Sequence, residues 1–263
     1  MVLQHHVLST YFKTNTPMAL DSQELEGRVW CSFKTRTGLP LNCREERTEH
    51  RIIHEVIGPE STVLELGSRL GTLSCEIAKI QNNSGRLLAV EADKDLWSVL
   101  YYNQLAHECS FSILLGTISQ TPFQVTTTIE GDRIIKQVPK EADSEKTVTD
   151  QETSLINSLS FQKAQDAVRM KFDTVLLNCD GCAAHFLEEN FQQLSKVKVI
   201  IIETTDDIAS RDCQDLDCVE LKTWILRLQT EWNYHIKEIS EEQNYALQMI
   251  PSKKVYHYVL IKE

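Results

Sequence analysis

Residues 63–74 read Val-Leu-Glu-Leu-Gly-Ser-Arg-Leu-Gly-Thr-Leu-Ser, an apolar run that passes through a glycine loop. Residues 62–66 predict a strand, and the glycines at Gly67 and Gly71 predict a tight loop. The spacing of apolar side chains over residues 72–80 predicts a helix. A strand that turns through glycines into a helix can bring backbone N–H groups close to a ligand. The stretch therefore predicts the first unit of an α/β fold with a ligand at its turn.

A second apolar run, residues 86–90, follows the predicted helix and ends in Glu91. An acid that closes the second strand of such a unit, about 20 residues beyond the glycines, is placed to hydrogen-bond a ribose diol. Two common nucleotide motifs do not fit this loop. Arg69 stands where a dinucleotide fingerprint has its middle glycine, and Gly71-Thr72-Leu73 lacks the lysine of a P-loop.

The rest of the chain alternates predicted strands and helices. Continuously apolar strands, such as residues 174–177 and 199–202, are typical of central parallel strands covered on both faces. This order predicts an α/β fold, a doubly wound and mostly parallel sheet that ends in an antiparallel hairpin. The further predicted elements are a helix at 44–57, a helix at 95–107, a strand at 111–115, a strand at 172–177, a helix at 183–194, a strand at 197–202, a helix at 218–232, a strand at 234–240, and a hairpin of 246–250 with 256–261.

Two regions differ from this alternation and define the predicted domains. Residues 1–43 form an N-terminal extension with short strands, and residues 44–263 form the main domain. Within it, residues 119–168 are an insertion, with a hairpin around Glu130-Gly131-Asp132 and a polar, mobile loop over 139–152. Such an insertion covers a ligand in some proteins and only decorates the fold in others.

Composition narrows the class of protein. A net charge of −11 argues against wrapping nucleic-acid phosphates, and no apolar stretch reaches the length of a membrane span. The eight cysteines are unevenly spaced in a chain long enough to bury a core, so we expect reduced cysteines and a cytoplasmic protein. Cys179, Cys182, Cys213 and Cys218 leave a zinc site or a redox pair as alternatives.

Three features of this region resemble motif I and the second acidic loop of class I S-adenosylmethionine-dependent methyltransferases. They are the acid at Glu65, the four-residue step from Gly67 to Gly71, and Glu91 after the next strand. The resemblance implies a Rossmann-like sandwich and S-adenosylmethionine as cofactor. The alternative is that Glu65-Leu66-Gly67 is merely a tight turn between a strand and a helix.

A narrower resemblance, to FkbM-type methyltransferases, covers about residues 43–204. It implies O-methylation of a hydroxyl on a sugar or another small molecule. The family pattern D-x-E-G-x-E is altered here, because Asn178, Asp180 and Ala183 occupy the three acidic positions. The matching segments are Val90-Glu91-Ala92-Asp93, Leu115-Gly116-Thr117-Ile118-Ser119, Phe172-Asp173-Thr174-Val175-Leu176-Leu177-Asn178-Cys179-Asp180-Gly181 and Ile201-Ile202-Glu203.

The resemblance also implies a set of cofactor-binding residues. Glu91 holds the ribose, Thr117 to Ser119 lie near the adenine, and Arg69 and Trp97 contact the methionine carboxylate and the adenine or else face solvent or the core. The residues expected to bind the cofactor are Glu65, Gly67, Ser68, Arg69, Gly71, Glu91, Ala92, Thr117, Ile118 and Asn178.

Asp180 follows the end of a predicted central strand, where open α/β sheets bind ligands, and we expect it to act as base or to orient the substrate. The alternative is that it caps the next helix. His185, in the first turn of that helix, is a second catalytic candidate, although a packing or surface role fits equally. Asp180 with Glu203, Asp206 and Asp207 could hold Mg²⁺, but a solvated acidic loop is the favoured interpretation.

The sequence thus predicts a methyltransferase (EC 2.1.1) that acts on a small-molecule or sugar acceptor, with no membrane or nucleic-acid partner and with a homodimer as one option. Two alternatives stay open. The altered acids at Asn178 and Ala183 suit a catalytically silent binding or scaffold protein, and a protein or RNA acceptor is the other.

Overall fold

The computed structural model describes residues 30–42, 47–121, 123–127, 133–137, 153–179, 182–205, 216–243 and 254–262. Its helices are α1 (Arg47–Val56), α2 (Thr72–Ile80), α3 (Lys94–Ala106), α4 (Phe161–Val168), α5 (Ala183–Leu194) and α6 (Leu216–Trp232). Its strands are β1 (Trp30–Lys34), β2 (Pro40–Asn42), β3 (Val63–Leu66), β4 (Leu87–Glu91), β5 (Ser112–Leu115), β6 (Thr117–Ile118), β7 (Phe123–Thr127), β8 (Arg133–Gln137), β9 (Thr153–Ile156), β10 (Ser158–Leu159), β11 (Thr174–Leu177), β12 (Val199–Thr204), β13 (Tyr234–Gln243) and β14 (Lys254–Lys262).

A seven-stranded sheet organises the fold, in the order β13-β14-β12-β11-β3-β4-β5. Strands β5, β4, β3, β11 and β12 run parallel, and β14 pairs antiparallel with both β12 and β13. The chain winds from β3 to one edge and returns to the other side of β3 at β11. The predicted α/β class with a doubly wound, mostly parallel sheet is therefore confirmed.

Helices cover both faces of this sheet, which explains why its central strands are apolar at nearly every position. Leu64, Leu66 and Val175 face one buried cluster, together with α5 and α6. Val63 and Leu176 face a second cluster, which contains side chains of α1 and α2. Successive strand residues point to opposite faces, so a strand buried on both sides needs an apolar residue at nearly every position.

The C-terminal hairpin has a different first strand from the one predicted. Strand β14 pairs with β13 over its whole length, from Tyr234 opposite Lys262 to Gln243 opposite Lys254. The predicted partner, residues 246–250, lies outside the described residues. The hairpin itself is antiparallel, as expected, and completes one edge of the sheet.

Within the described ranges, three small sheets lie outside the main one. Strands β1 and β2 pair antiparallel, β6 pairs parallel with β10, and β7 pairs antiparallel with both β8 and β9. The loop predicted at 139–152 and the turn at Glu130-Gly131-Asp132 lie outside the described residues. None of the helices in the described part of the chain combines the length and the hydrophobicity that a membrane span needs.

Two disulfides whose cysteines both lie in the described part of the chain overturn the expectation of reduced cysteines. Cys75 in α2 is bonded to Cys109 after α3, and Cys179 is bonded to Cys182 between β11 and α5. Cys218 is also disulfide-bonded. Since thiolates are needed for zinc, this pairing removes the Cys₄ alternative. Disulfides persist in oxidising compartments, so the pairing does not support the reduced compartment expected from cysteine spacing.

Candidate functional site

The candidate site lies where the winding of the sheet reverses, between β3 and β11. Ligands of open α/β sheets bind outside the carboxyl ends of the strands at such a point. Glu65, in β3, is 1% exposed and accepts a hydrogen bond of 2.5 Å from Ser74 Oγ of α2. This contact ties the strand to the helix across the glycine loop, and it gives Glu65 a structural role beside any role toward a ligand.

Gly67 is required by the packing of the protein itself. Its φ is +87°, and an added Cβ would lie 1.7 Å from the backbone oxygen of Asn178, which follows β11. Gly71 has φ +81°, and an added Cβ there would lie 2.8 Å from Leu100 Cδ1. Both glycines let neighbouring chain segments approach, so the motif indicates close packing at the switch point at least as much as a ligand.

The loop also uses its own N–H groups internally, which corrects the expectation that they point at a ligand. The N–H groups of Gly67 and Ser68 both donate to Val90 O, at 2.9 and 3.1 Å. Gly71 N–H donates to Ser68 O at 2.8 Å, and Arg69 N–H donates to Glu91 Oε2 at 2.6 Å. Three of these donors hold the loop against β4, and the fourth closes a turn within the loop.

Glu91 is a buried acid at the carboxyl end of β4, next to this loop. It ends β4, is 5% exposed, and accepts hydrogen bonds from Arg69 N–H at 2.6 Å and Asp93 N–H at 2.7 Å. A carboxylate has about four lone-pair sites, so roughly two acceptor sites remain. Two adjacent hydroxyls, such as those of a ribose, would fill them.

Burial raises the pKa of Glu91 from its ordinary 4.5 to about 7, although the N–H and the charge of Arg69 act in the opposite direction. Between these two values the folded protein keeps a proton that the unfolded chain has released. We therefore expect this group to lower the free energy of unfolding as the pH rises from about 4.5 to about 7, by about 3 kcal/mol in all.

Urea unfolding of Glu91→Gln at several pH values checks this. The variant should lack the part of the pH dependence that Glu91 supplies, while the control Glu108→Gln, at an exposed position, should keep it. If the free energy of unfolding changes with pH in the same way in the wild type and in Glu91→Gln, the raised pKa assigned to Glu91 is contradicted.

Ser68 provides a second polar group beside Glu91. Its Oγ is buried and has no hydrogen-bond partner among the described residues. Buried hydroxyls are nearly always paired, so an orphan hydroxyl in this loop suits a ligand that supplies the missing partner. Arg69 is exposed, with φ +48°, and besides its N–H bond its charge acts on Glu91 and Glu203.

The segment after β5 lies against the same edge. Gly116 N–H donates to Glu91 O at 2.8 Å, and Thr117 N–H donates to Asn157 O at 2.8 Å. Ile118 is buried in the core, Ala92 packs on the small cluster of the inserted strands, and Trp97 Nε1–H donates to Glu91 O at 3.0 Å. The residues predicted to hold ribose and adenine are thus neighbours.

The structure describes only some of the residues predicted to act in catalysis or metal binding. Asp180, Asp206 and Asp207 lie outside the described residues. His185 is in α5, with Nε2 3.3 Å from Ser119 Oγ and 3.2 Å from Glu189 Oε1, and its ring packs edge-on against Phe123. His185 therefore lies at the junction of α5 with the insertion, and its catalytic role stays a prediction.

Two polar residues that sequence reasoning missed lie on the same edge of the sheet. Glu49 of α1 accepts a hydrogen bond of 2.8 Å from Asn178 Nδ2, so Asn178 is held by protein. His257 of β14 stands directly opposite Glu203 of β12, with His257 Nε2 3.4 Å from Glu203 Oε2. Burial alone would raise the pKa of Glu203, but the interaction with His257 and a hydrogen bond from the Glu49 carboxyl group outweigh burial and lower it.

No protein-family model matches the chain, and a comparison with curated proteins also finds no match. Several solved structures are similar to this chain. A candidate O-methyltransferase from Klebsiella pneumoniae is 12% identical, with a TM-score of 0.49 over 87% of this chain and 86% of that one. The O-methyltransferase TomG from Streptomyces achromogenes, solved with SAM, is 10% identical, with a TM-score of 0.48 over 86% and 83%. A candidate tRNA (m1A22) methyltransferase from Streptococcus pneumoniae is 14% identical, with a TM-score of 0.46 over 82% and 69%. At such identities, function must be inferred from the site itself.

Proposed function

We propose that this chain binds S-adenosylmethionine and transfers its methyl group to a hydroxyl of a sugar or another small molecule, in the manner of FkbM-type methyltransferases. The observation that carries the proposal is Glu91, a buried carboxylate beside the switch point with acceptor sites that its hydrogen bonds within the described residues do not fill. The orphan hydroxyl of Ser68 supports the same position for a ligand. The acceptor class comes from the FkbM resemblance.

Methyl transfer from a sulfonium is an in-line displacement, in which the bound cofactor supplies an activated methyl group. The protein contributes mainly orientation, because aligned reactants avoid most of the entropic cost of meeting. Glu91 would fix the ribose through two charge-assisted hydrogen bonds. The residue that takes the hydroxyl proton is to be sought beyond the end of β11, where Asp180 follows Asn178 and Cys179 in the sequence.

Isothermal titration with S-adenosylhomocysteine tests cofactor binding. We expect one site per chain in the wild type and affinity about 100-fold weaker in Glu91→Gln, because each charge-assisted hydrogen bond contributes about 1.5–3 kcal/mol. The matched control is Glu220→Gln, which changes an exposed glutamate of α6 and should bind like the wild type. Absence of binding to folded wild-type protein would refute the proposal.

A second candidate function is cofactor binding without turnover, in a scaffold protein. One observation favours it: Asn178, which replaces a family acid, has its amide engaged by Glu49. Binding of S-adenosylhomocysteine, together with no methyl transfer from radiolabelled cofactor to a panel of sugars and phenols, would support this candidate. Turnover that is lost in Asp180→Ala would exclude it.

A further inference from the structure

Three side chains with metal-binding atoms converge at the carboxyl edge of the sheet. Glu49 from α1, Glu203 from β12 and His257 from β14 each offer one ligand atom, and these atoms lie within 4.8 Å of one another. The three elements come from distant parts of the sequence. Asn178 adjoins the group through its hydrogen bond to Glu49. We name these three residues the Glu-Glu-His cluster.

His257 is the independent sign that the cluster binds something. The residue is 1% exposed, and neither of its ring nitrogens has a hydrogen-bond partner among the described residues. Its Nε2 lies 3.4 Å from Glu203 Oε2, within ion-pair distance but without hydrogen-bond geometry. Burying an imidazole with both nitrogens unsatisfied costs free energy, unless a ligand completes the site.

The charges of the cluster point to a cation. Glu49 is 5% exposed and faces Glu203, so two carboxylates meet in a region of low dielectric. When no ion is bound, the two carboxyl groups have to share a proton to hydrogen-bond each other, and His257 and Arg69 supply the nearby positive charge. A divalent ion offsets both carboxylates, and it also gives the imidazole nitrogen a partner.

We propose that the Glu-Glu-His cluster binds a divalent transition-metal ion through one oxygen of Glu49, one oxygen of Glu203 and one nitrogen of His257. Carboxylate oxygens with an imidazole suit Zn²⁺, Co²⁺ and Mn²⁺, whereas Mg²⁺ prefers oxygen alone. Ligand atoms around such an ion stand about 2.1 Å from it, and hence at most about 4.2 Å apart. The ligand atoms of the cluster lie within 4.8 Å of one another, so small side-chain movements bring them to these distances.

The surroundings fit a site that an ion can enter and that keeps open positions. The Glu203 side chain is 23% exposed, so solvent reaches the cluster from that side. The amide of Asn178 orients Glu49, as second partners commonly orient metal ligands. If the proposed methyl transfer holds, an open position would bind the acceptor hydroxyl and lower its pKa. Metal binding itself does not depend on that function.

Titration with Mn²⁺, followed by the loss of the free-ion EPR signal, tests the site on the full, non-reduced chain after chelator treatment. We expect one Mn²⁺ per chain and displacement by Zn²⁺ at lower concentration, in the Irving–Williams order. His257→Gln and Glu203→Gln should each weaken Mn²⁺ binding by more than about 100-fold. A loss of that size exceeds the roughly 10–100-fold that is typical when a residue that only hydrogen-bonds a metal ligand is removed. The matched controls His235→Gln and Glu220→Gln, both at exposed positions, should bind like the wild type.

Pulsed EPR of the wild-type Mn²⁺ complex gives a second measurement that needs no variant. Coupling to an imidazole nitrogen is expected, because His257 coordinates the ion directly. Absence of that coupling, absence of Mn²⁺ binding, or unchanged binding in folded His257→Gln and Glu203→Gln would each overturn the proposal. Binding of S-adenosylhomocysteine is measured separately, so failure of the metal site and failure of the proposed function remain distinguishable.

Discussion

Gly67→Ala is expected to destabilise the protein by at least about 4 kcal/mol and to abolish binding of S-adenosylhomocysteine. The new Cβ would lie 1.7 Å from Asn178 O, a contact with backbone that no rotamer change can relieve. Strands β3 and β11 would have to separate at the switch point. A left-handed φ of +87° adds about 1–2 kcal/mol for any residue with a Cβ. Together these place the change among the most severe single substitutions.

Gly38→Ala is the matched control, because Gly38 also has a left-handed φ, of +78°, but an added Cβ would meet nothing within 4 Å. It should cost about 1–2 kcal/mol, which is the conformational cost alone. Urea unfolding of both variants separates the cost of the left-handed φ from the cost of the steric clash with Asn178. Equal losses of stability in the two variants would mean that Gly67 does not approach Asn178 as described.

Loss of the Cys75–Cys109 disulfide is expected to lower the free energy of unfolding by about 4 kcal/mol. The bond closes a loop with a sequence separation of 34, and the chain-entropy relation gives about this value for such a loop. Both sulfurs lie in the core, between α2 and the end of α3, where their contacts add to the effect. The double variant Cys75→Ala, Cys109→Ala, unfolded in urea, supplies the measurement.

The second disulfide offers an internal comparison. Cys179 and Cys182 are separated by only 3 positions, so their bond restricts the unfolded chain much less. Removing both sulfurs there should cost about 1.5–2 kcal/mol by the same relation. Titration of free thiols in denaturant, without reductant, shows whether the bonds exist. Reactive thiols at Cys75 and Cys109 would refute the pairing.

The sheet could be predicted from sequence because its signals are local. Helices α2 and α5 begin and end where the apolar spacing indicated, at residues 72–80 and 183–194. The partner of β14 was predicted wrongly, since alternation of polar and apolar residues marks a strand without specifying which strand it pairs with. Helix α4 was missed because it is short, although Ser160 caps it and could have signalled its start.

The site was predictable only where it follows one segment of chain. Glu91 and the loop at 67–71 adjoin a recognisable strand, so their neighbourhood could be anticipated. Glu49 and His257 could not, because their meeting depends on the antiparallel insertion of β14 beside β12 and on the packing of α1. Cysteine pairing was equally hidden, since Cys75 and Cys109 meet through tertiary structure alone.

The place of β14 in the sheet has a consequence for synthesis. This strand follows all the other described strands in the sequence, yet it lies between β12 and β13. Until β14 leaves the ribosome, the growing chain can build the sheet only as far as β12, whose edge stays unpaired. Exposed edges of this kind invite pairing with other chains. The nascent protein should therefore be prone to unwanted pairing at β12, and it should gain the Glu-Glu-His cluster only after β14 has been synthesised and has paired with β12.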